Sequence, residues 1–166
     1  FLTTDTAEAN RINSQLKPNF FLFICNPKAD LIGNSSNNIV HLKGIDNLTE
    51  IDIAMVRAFR QLNKESKGPR RACIGLLSDV LLQHHAVVTR KWLAQLLPEL
   101  RAKGFTTIAV LDSQMHPLDE VQAIVSIFDG ELRITEKETD KGQLKTLRIN
   151  RLSNARYLES AILLKK

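Results

Sequence analysis

The chain has 166 residues, 25% of them charged and 43% apolar, with a formal charge of +5. That length suits one domain with a real core, and that balance is ordinary for a soluble globular protein. No run reaches the roughly 18 apolar residues of a membrane span, and FLTTDTAEAN has neither the basic nor the apolar region of a signal peptide, so a cytoplasmic protein with no membrane partner is expected.

Phe1–Thr4 reads as the middle or end of a strand, which leads us to expect further sequence upstream. Asp5 suits a helix cap, with Glu8 three residues on. Ala9, Ile12 and Leu16 form that helix's apolar stripe, and Pro18 stops it. Phe20–Cys25 is apolar throughout, as a buried strand is. Asn26–Asn38 carries Pro27, Gly33 and an Asn/Ser cluster, and reads as a mobile polar loop. Ile39–Leu42 is a short strand. Asn47 and Glu50 open a helix in which Leu48, Ile51, Met55, Phe59 and Leu62 recur at three and four. Lys64–Pro69 is a loop.

The stretch Arg71–Asp112 organises the rest. An apolar run (Ala72–Leu77) precedes a long amphipathic segment, Gly104, and a second run (Thr106–Leu111). Strand, crossover helix, strand is the unit of a parallel sheet. Val88, Trp92, Leu96 and Leu100 form the crossover's stripe, with Leu93 and Leu97 beside it. Pro98 predicts a kink, because it removes a backbone donor. Gly104 suits a left-handed cap behind Arg101 and Lys103. The loop Asp112–Pro117 leads into a helix with Asp119 and Glu120 in its first turn. That helix buries Val121, Ile124, Val125 and Phe128 and ends at Gly130.

Beyond it the period changes. Glu131–Lys137 and Leu144–Asn150 alternate, with Leu132, Ile134, Leu147 and Ile149 inward and Asp140-Lys141-Gly142 at the turn. This predicts an antiparallel hairpin on the sheet edge. The tail Ala155–Leu164 fits a short helix or an extended arm. The expected fold is therefore three-layer α/β: a mainly parallel sheet flanked by helices, with an antiparallel C-terminal hairpin. It forms one domain, with a core over 1–130, the hairpin over 131–152 and a tail over 153–166.

Cys25 and Cys73 sit in apolar runs and read as buried reduced thiols. The positive charge is spread along the chain, densest from Arg133 to Lys166, where it reads as the solvated face of the hairpin. Nucleic acid is not an expected partner, because a phosphate footprint needs cations clustered on one face. There is no phosphate loop of the form G-x-x-x-x-G-K-[ST], no G-x-G-x-x-G, no C-x-x-C, no H-E-x-x-H and no G-x-S-x-G. His84 and His85 are adjacent, so on a helix they diverge by about 100° and do not share a metal. His116 follows the carboxyl end of a parallel strand, where such folds bind ligands. Asp112-Ser113-Gln114-Met115-His116 is thus the best local site candidate, with Asp5 and Asp79 as further acids of the same rim. Helix capping is the plain role of both aspartates.

The ordered words FLTTDT, IVHLKGIDNLTEIDIAMVRAF, RRACIGLLSDVLL, TRKWLAQLLPELRAKGFTTIAVLDSQMH, FDGELRI and LRINRLSN cover nearly the whole chain. In that order they resemble the later two-thirds of a RecA/KaiC-type ATPase domain, the archaeal KaiC-like branch in particular. The resemblance implies a phosphate loop upstream of Phe1. It puts the family's metal-binding acid at Gly75, where glycine cannot coordinate Mg²⁺, and keeps Ser78 of the same motif. The family's catalytic glutamate pair falls at Thr4-Asp5, leaving one shorter acid. Gln114 falls at the phosphate-sensing position. Arg151 matches the basic residue that reaches a neighbouring subunit's γ-phosphate, and Ser153 replaces a second one. With the rim reading, this gives Asp5 and Gln114 as catalytic candidates and Ser78, Asp79, Asp112 and Arg151 as cofactor-binding candidates, with no metal ligand.

Phosphoryl transfer depends on positioning and charge stabilisation. The resemblance therefore implies a degenerate, non-hydrolytic module for assembly or regulation within a signalling or regulatory protein, holding no cofactor by itself. Three alternatives stay open. One is the C-terminal part of a genuine ATPase, with ATP and Mg²⁺ as cofactors once the upstream part is present. Another is a protein- or nucleic-acid-binding module, and the third a small α/β enzyme using Asp112 and His116. A sheet without its first strand has an open edge, expected beside Phe1–Thr4 or Ile39–Leu42. The expected partner is a second copy or a missing N-terminal segment.

Overall fold

The computed structural model describes residues 1–14, 20–28, 38–65, 68–139, 142–153 and 155–164. The expected stop at Pro18, most of the Asn26–Asn38 loop and the Asp140-Lys141 turn lie outside them. Five strands form a parallel sheet: β1 (Leu2–Thr3), β2 (Leu22–Cys25), β3 (Ile39–Leu42), β4 (Arg70–Ile74) and β5 (Phe105–Ala109). Their order is β3-β2-β1-β4-β5, and every pairing is parallel. The two-residue β1 is central, with Leu2 opposite both Phe23 and Ile74. The expected open edge beside Phe1–Thr4 is thereby corrected: the outer strands are β3, which is Ile39–Leu42, and β5.

Among the described residues four α-helices flank the sheet: α1 (Thr6–Asn13), α2 (Leu48–Glu65), α3 (Leu77–Ala102) and α4 (Leu118–Val125). Successive residues of a strand face opposite ways. Phe23 and Cys25 of β2 therefore join the core beneath α2, α3 and α4, with Ile51, Met55, Phe59, Trp92, Leu93 and Ile124. Leu22 and Ile24 face the other way and meet Ala9 of α1. That double cover is why β2 is apolar at every position. α1 is too short to cover the far side, and Ile108 on β5 and Val110 just beyond it are 56% and 55% exposed. Both cysteines are free; Cys25 is buried and Cys73 half-buried.

The crossover differs from its expected form in two ways. The helix is unbroken at Pro98 and broken at His85, whose φ of 57° is the only positive value at a non-glycine among the described residues. Pro98 and Ala94 are both exposed, so the Ala94 carbonyl that loses its donor faces water. At His85 the freed Ala86 N–H finds the Glu120 carboxylate of α4 at 3.3 Å. The break also shifts the phase of the helix. Thr89 is fully buried and donates to the Val80 carbonyl at 3.4 Å, whereas Val88, expected in the stripe, is 46% exposed.

Past α4 the hairpin forms as its alternation predicts, from β6 (Gly130–Thr139) and β7 (Gly142–Leu152). Gly130 opens β6 rather than ending α4, whose last residue is Val125. A Cβ at Gly130 would lie 2.9 Å from Leu152 Cδ1 and 3.0 Å from the Arg151 carbonyl, so a larger residue at the base of the hairpin must displace both slightly. The hairpin is not on the edge of the parallel sheet. It forms a separate antiparallel sheet with β8 (Ile162–Leu164), in the order β6-β7-β8, which makes the tail an extended arm. Leu132, Ile134, Leu147 and Ile149 share one face as expected, but Leu132 and Ile134 are more than half exposed.

Candidate functional site

In a parallel sheet every strand delivers its carboxyl end to the same rim. Here Thr4 follows β1, Asn26 follows β2, Gly75 follows β4 and Asp112 lies just past β5. α3 starts at Leu77, three residues past the end of β4, so Ser78 and Asp79 fall in its first turn. An acid there is favoured by the partial positive charge of the helix N-terminus.

Three side-chain bonds tie the rim together. The Thr4 hydroxyl donates to the Asp79 carboxylate, joining β1 to α3. The Asp112 N–H donates to Ser78 Oγ at 2.8 Å, joining the loop after β5 to α3. Asn26 Nδ2 donates to the Thr4 carbonyl at 2.8 Å and brings in β2. The other acids are engaged locally. Asp5 Oδ1 caps α1, accepting from the Ala7 and Glu8 amides at 2.8 and 3.2 Å. Its own N–H donates to Thr3 Oγ1, whose hydroxyl donates to Glu8 at 3.0 Å, so Glu8 acts through Thr3 rather than directly on the cap. Asp112 Oδ1 accepts from the Gln114 amide at 2.9 Å and caps the short turn Ser113–Met115.

The structure thus brings Asp5, Ser78, Asp79, Asp112 and Gln114 to one rim, with the Gln114 side chain exposed. It keeps Arg151 elsewhere. Contacts run in step along α3 and α4, from His85–Glu120 through Arg90–Ala123 to Arg101–Asp129. Both helices therefore lead away from the rim, and Arg151 sits at their far end. There its guanidinium donates to the carbonyls of Val125 and Phe128 at 3.0 and 2.8 Å, capping the end of α4.

His84 and His85 diverge as their adjacency requires. His84 Nε2 bonds the Ile45 carbonyl at 2.8 Å, and His85 Nδ1 lies 3.5 Å from Glu120. His116 Nε2 is buried without a hydrogen-bond partner among the described residues. Sequence reasoning missed Asn26 as a rim residue. The available signal was its position, a polar side chain directly after a buried strand.

At the centre of the rim stands Gly75, which has no side chain to offer a metal ion. Gly75 N–H donates to the Leu2 carbonyl at 2.9 Å, and a Cβ at Gly75 would lie 3.0 Å from that oxygen and 3.2 Å from Phe1 Cζ. A carboxylate side chain has no space there unless β1 moves. Among the described residues no group of three or more His, Cys, Asp and Glu could hold a metal ion. Among the same residues no helix is long and apolar enough to cross a membrane. No family model matches the chain, and no curated protein matches it.

Proposed function

We propose that this chain is a degenerate RecA/KaiC-like module that does not hydrolyse ATP and serves in assembly or regulation. One observation carries the reading: the position where the resemblance calls for a metal acid is a glycine packed against the β1 backbone. The remaining acids give it support. Asp5, Asp79 and Asp112 each accept a hydrogen bond from the chain itself through one carboxylate oxygen, which gives each a structural role in the rim. Arg151, the candidate for reaching a neighbour's phosphate, is used to close α4. The assembly part of the reading is supported by β5, an outer strand with Ile108 and Val110 over half exposed, since an apolar open edge invites pairing.

The same β5 edge favours a second reading. In it the missing neighbour of β5 is an upstream segment of the same polypeptide, and the chain is the C-terminal part of a genuine ATPase. A G-x-x-x-x-G-K-[ST] motif in the gene before Phe1 decides for it.

Thermal unfolding with excess ATP and Mg²⁺ tests the main reading. A nucleotide at about 100 times its Kd adds roughly 2.7 kcal/mol, which at this chain length is a rise of about 5–10 °C in Tm. We expect no rise and no phosphate release. A saturable rise sinks the nucleotide-free half of the proposal, and a strictly monomeric species in light scattering at all concentrations sinks the assembly half.

A further inference from the structure

The hairpin sorts its charges by face. Alternate residues of a strand point the same way, and so do residues directly opposite each other in an antiparallel pair. The register sets Arg133 opposite Arg148, Thr135 opposite Thr146 and Lys137 opposite Leu144. One face therefore carries Arg133, Lys137 and Arg148, with the Thr135 and Thr146 hydroxyls bonded to each other at 2.7 Å between them. The other face carries Glu136 and Glu138, with Lys145 paired to Glu136. Positive charge that is spread along the sequence is gathered by the register onto one side.

Among the described residues of β6 and β7, the acid on the basic face is Glu131, at its base and 3.2 Å from Arg133. Lys137 and Arg148 are exposed and make no ion pair among the described residues. Like charges directly opposite each other repel, so the Arg133–Arg148 pair favours an anion laid across it. Arg133 and Lys137 are four residues apart on one strand, about 13 Å at the rise of a β-strand. That is about four steps along one strand of a DNA duplex, at about 3.4 Å each. β6, β7 and β8 contain no aromatic residue, so this face has no platform for stacking unpaired bases. A rigid duplex meets a flat face without the ordering cost that a flexible acidic peptide brings.

We propose that the Arg133–Lys137–Arg148 face of the hairpin binds the phosphate backbone of duplex DNA without reading its sequence. The cations neutralise phosphates and the threonine hydroxyls donate to phosphate oxygens, contacts that position a duplex but carry no base information. Arg151 lies at the base of the same face but is held by the end of α4, so it adds nothing to the footprint.

Fluorescence anisotropy of a short mixed-sequence DNA duplex, titrated with the full chain, tests this. Three phosphate contacts give a slope of about −2.7 for log K against log salt, a loss of roughly 40-fold between about 50 and 200 mM. R148Q and K137Q should each weaken binding severalfold and flatten that slope by about 1. K145Q makes the same charge change on the opposite face and should leave both quantities as they are. The Tm of each variant shows whether its fold is kept, and the salt slope of the unmutated protein needs no variant. No binding at the lower salt, an affinity that salt does not change, equal losses in K145Q and R148Q, or polyglutamate binding as tightly as the duplex would each overturn the proposal.

Discussion

Replacing Gly75 with alanine adds one methyl group at the joint between β4 and β1. The new Cβ would lie 3.0 Å from the Leu2 carbonyl oxygen and 3.2 Å from Phe1 Cζ. The aromatic carbon belongs to a side chain that can turn. The oxygen belongs to a central strand, is held by the Gly75 N–H at 2.9 Å, and comes from a residue only 3% exposed. Overpacking of this kind costs about 1–3 kcal/mol. Alanine also restricts the unfolded chain, which offsets about 0.4–1 kcal/mol of that. The net loss is about 0.5–2 kcal/mol, a fall of roughly 2–6 °C in Tm at this length. Trp92, the only tryptophan and 4% exposed, reports unfolding by fluorescence. G75D meets the same oxygen with a larger side chain, so it should fall at least as far and gain no affinity for Mg²⁺. An unchanged or higher Tm for G75A would mean that β1 yields freely, and glycine would then no longer count against a carboxylate here.

Burial raises the pKa of the Asp52 carboxyl, with the charge of Glu99 adding to the rise and the hydrogen bond from Trp92 opposing it. The folded state therefore holds this proton more tightly than the unfolded one. Its contribution is most favourable at low pH and is lost as pH climbs from near the ordinary 3.8 through the raised value. Asparagine keeps an acceptor for Trp92 Nε1, now 2.8 Å from Asp52 Oδ1. D52N should thus gain stability relative to the native protein as pH rises to neutrality, by a fraction of a kcal/mol after solvent screening; a Tm difference that does not change with pH refutes this. Arg151→Met removes both guanidinium bonds to the end of α4. It should cost about 1–3 kcal/mol and speed amide exchange in α4, whereas an arginine whose only work is across a subunit boundary would leave the monomer's Tm unchanged.

The features legible in the sequence are those set by neighbours along the chain. The unit from β4 through α3 to β5 follows from two apolar runs, a periodic segment and Gly104, which adopts φ 78° behind the helix. Asp5 capping α1 and Asp112 capping the Ser113–Met115 turn follow from side chains that reach amides two or three residues on. The break at His85 was not legible, because its compensating acceptor is Glu120, 34 residues away from the Ala86 amide it receives. Pro98 misled for the converse reason. Its rule assumes that the orphaned carbonyl is a liability, and on a solvent-facing surface water removes that liability.

The hairpin shows where alternation stops being informative. Period two states that Leu132, Ile134, Leu147 and Ile149 share a face, and they do. It says nothing of which strand lies alongside, and here β7 takes β8 as its second neighbour instead of an edge of the parallel sheet. The rim divides in the same way. Strand ends and helix starts locate Asp5, Asp79 and Asp112 without any tertiary information. Whether those groups are free for chemistry depends on cross-chain bonds such as Thr4 to Asp79, 75 residues apart. A rim whose acids are all engaged and whose central position is a packed glycine works as a joint between strands and helices. Any pairing with a further strand then falls to the two outer strands, β3 and β5, because they are where this sheet still has backbone groups to pair.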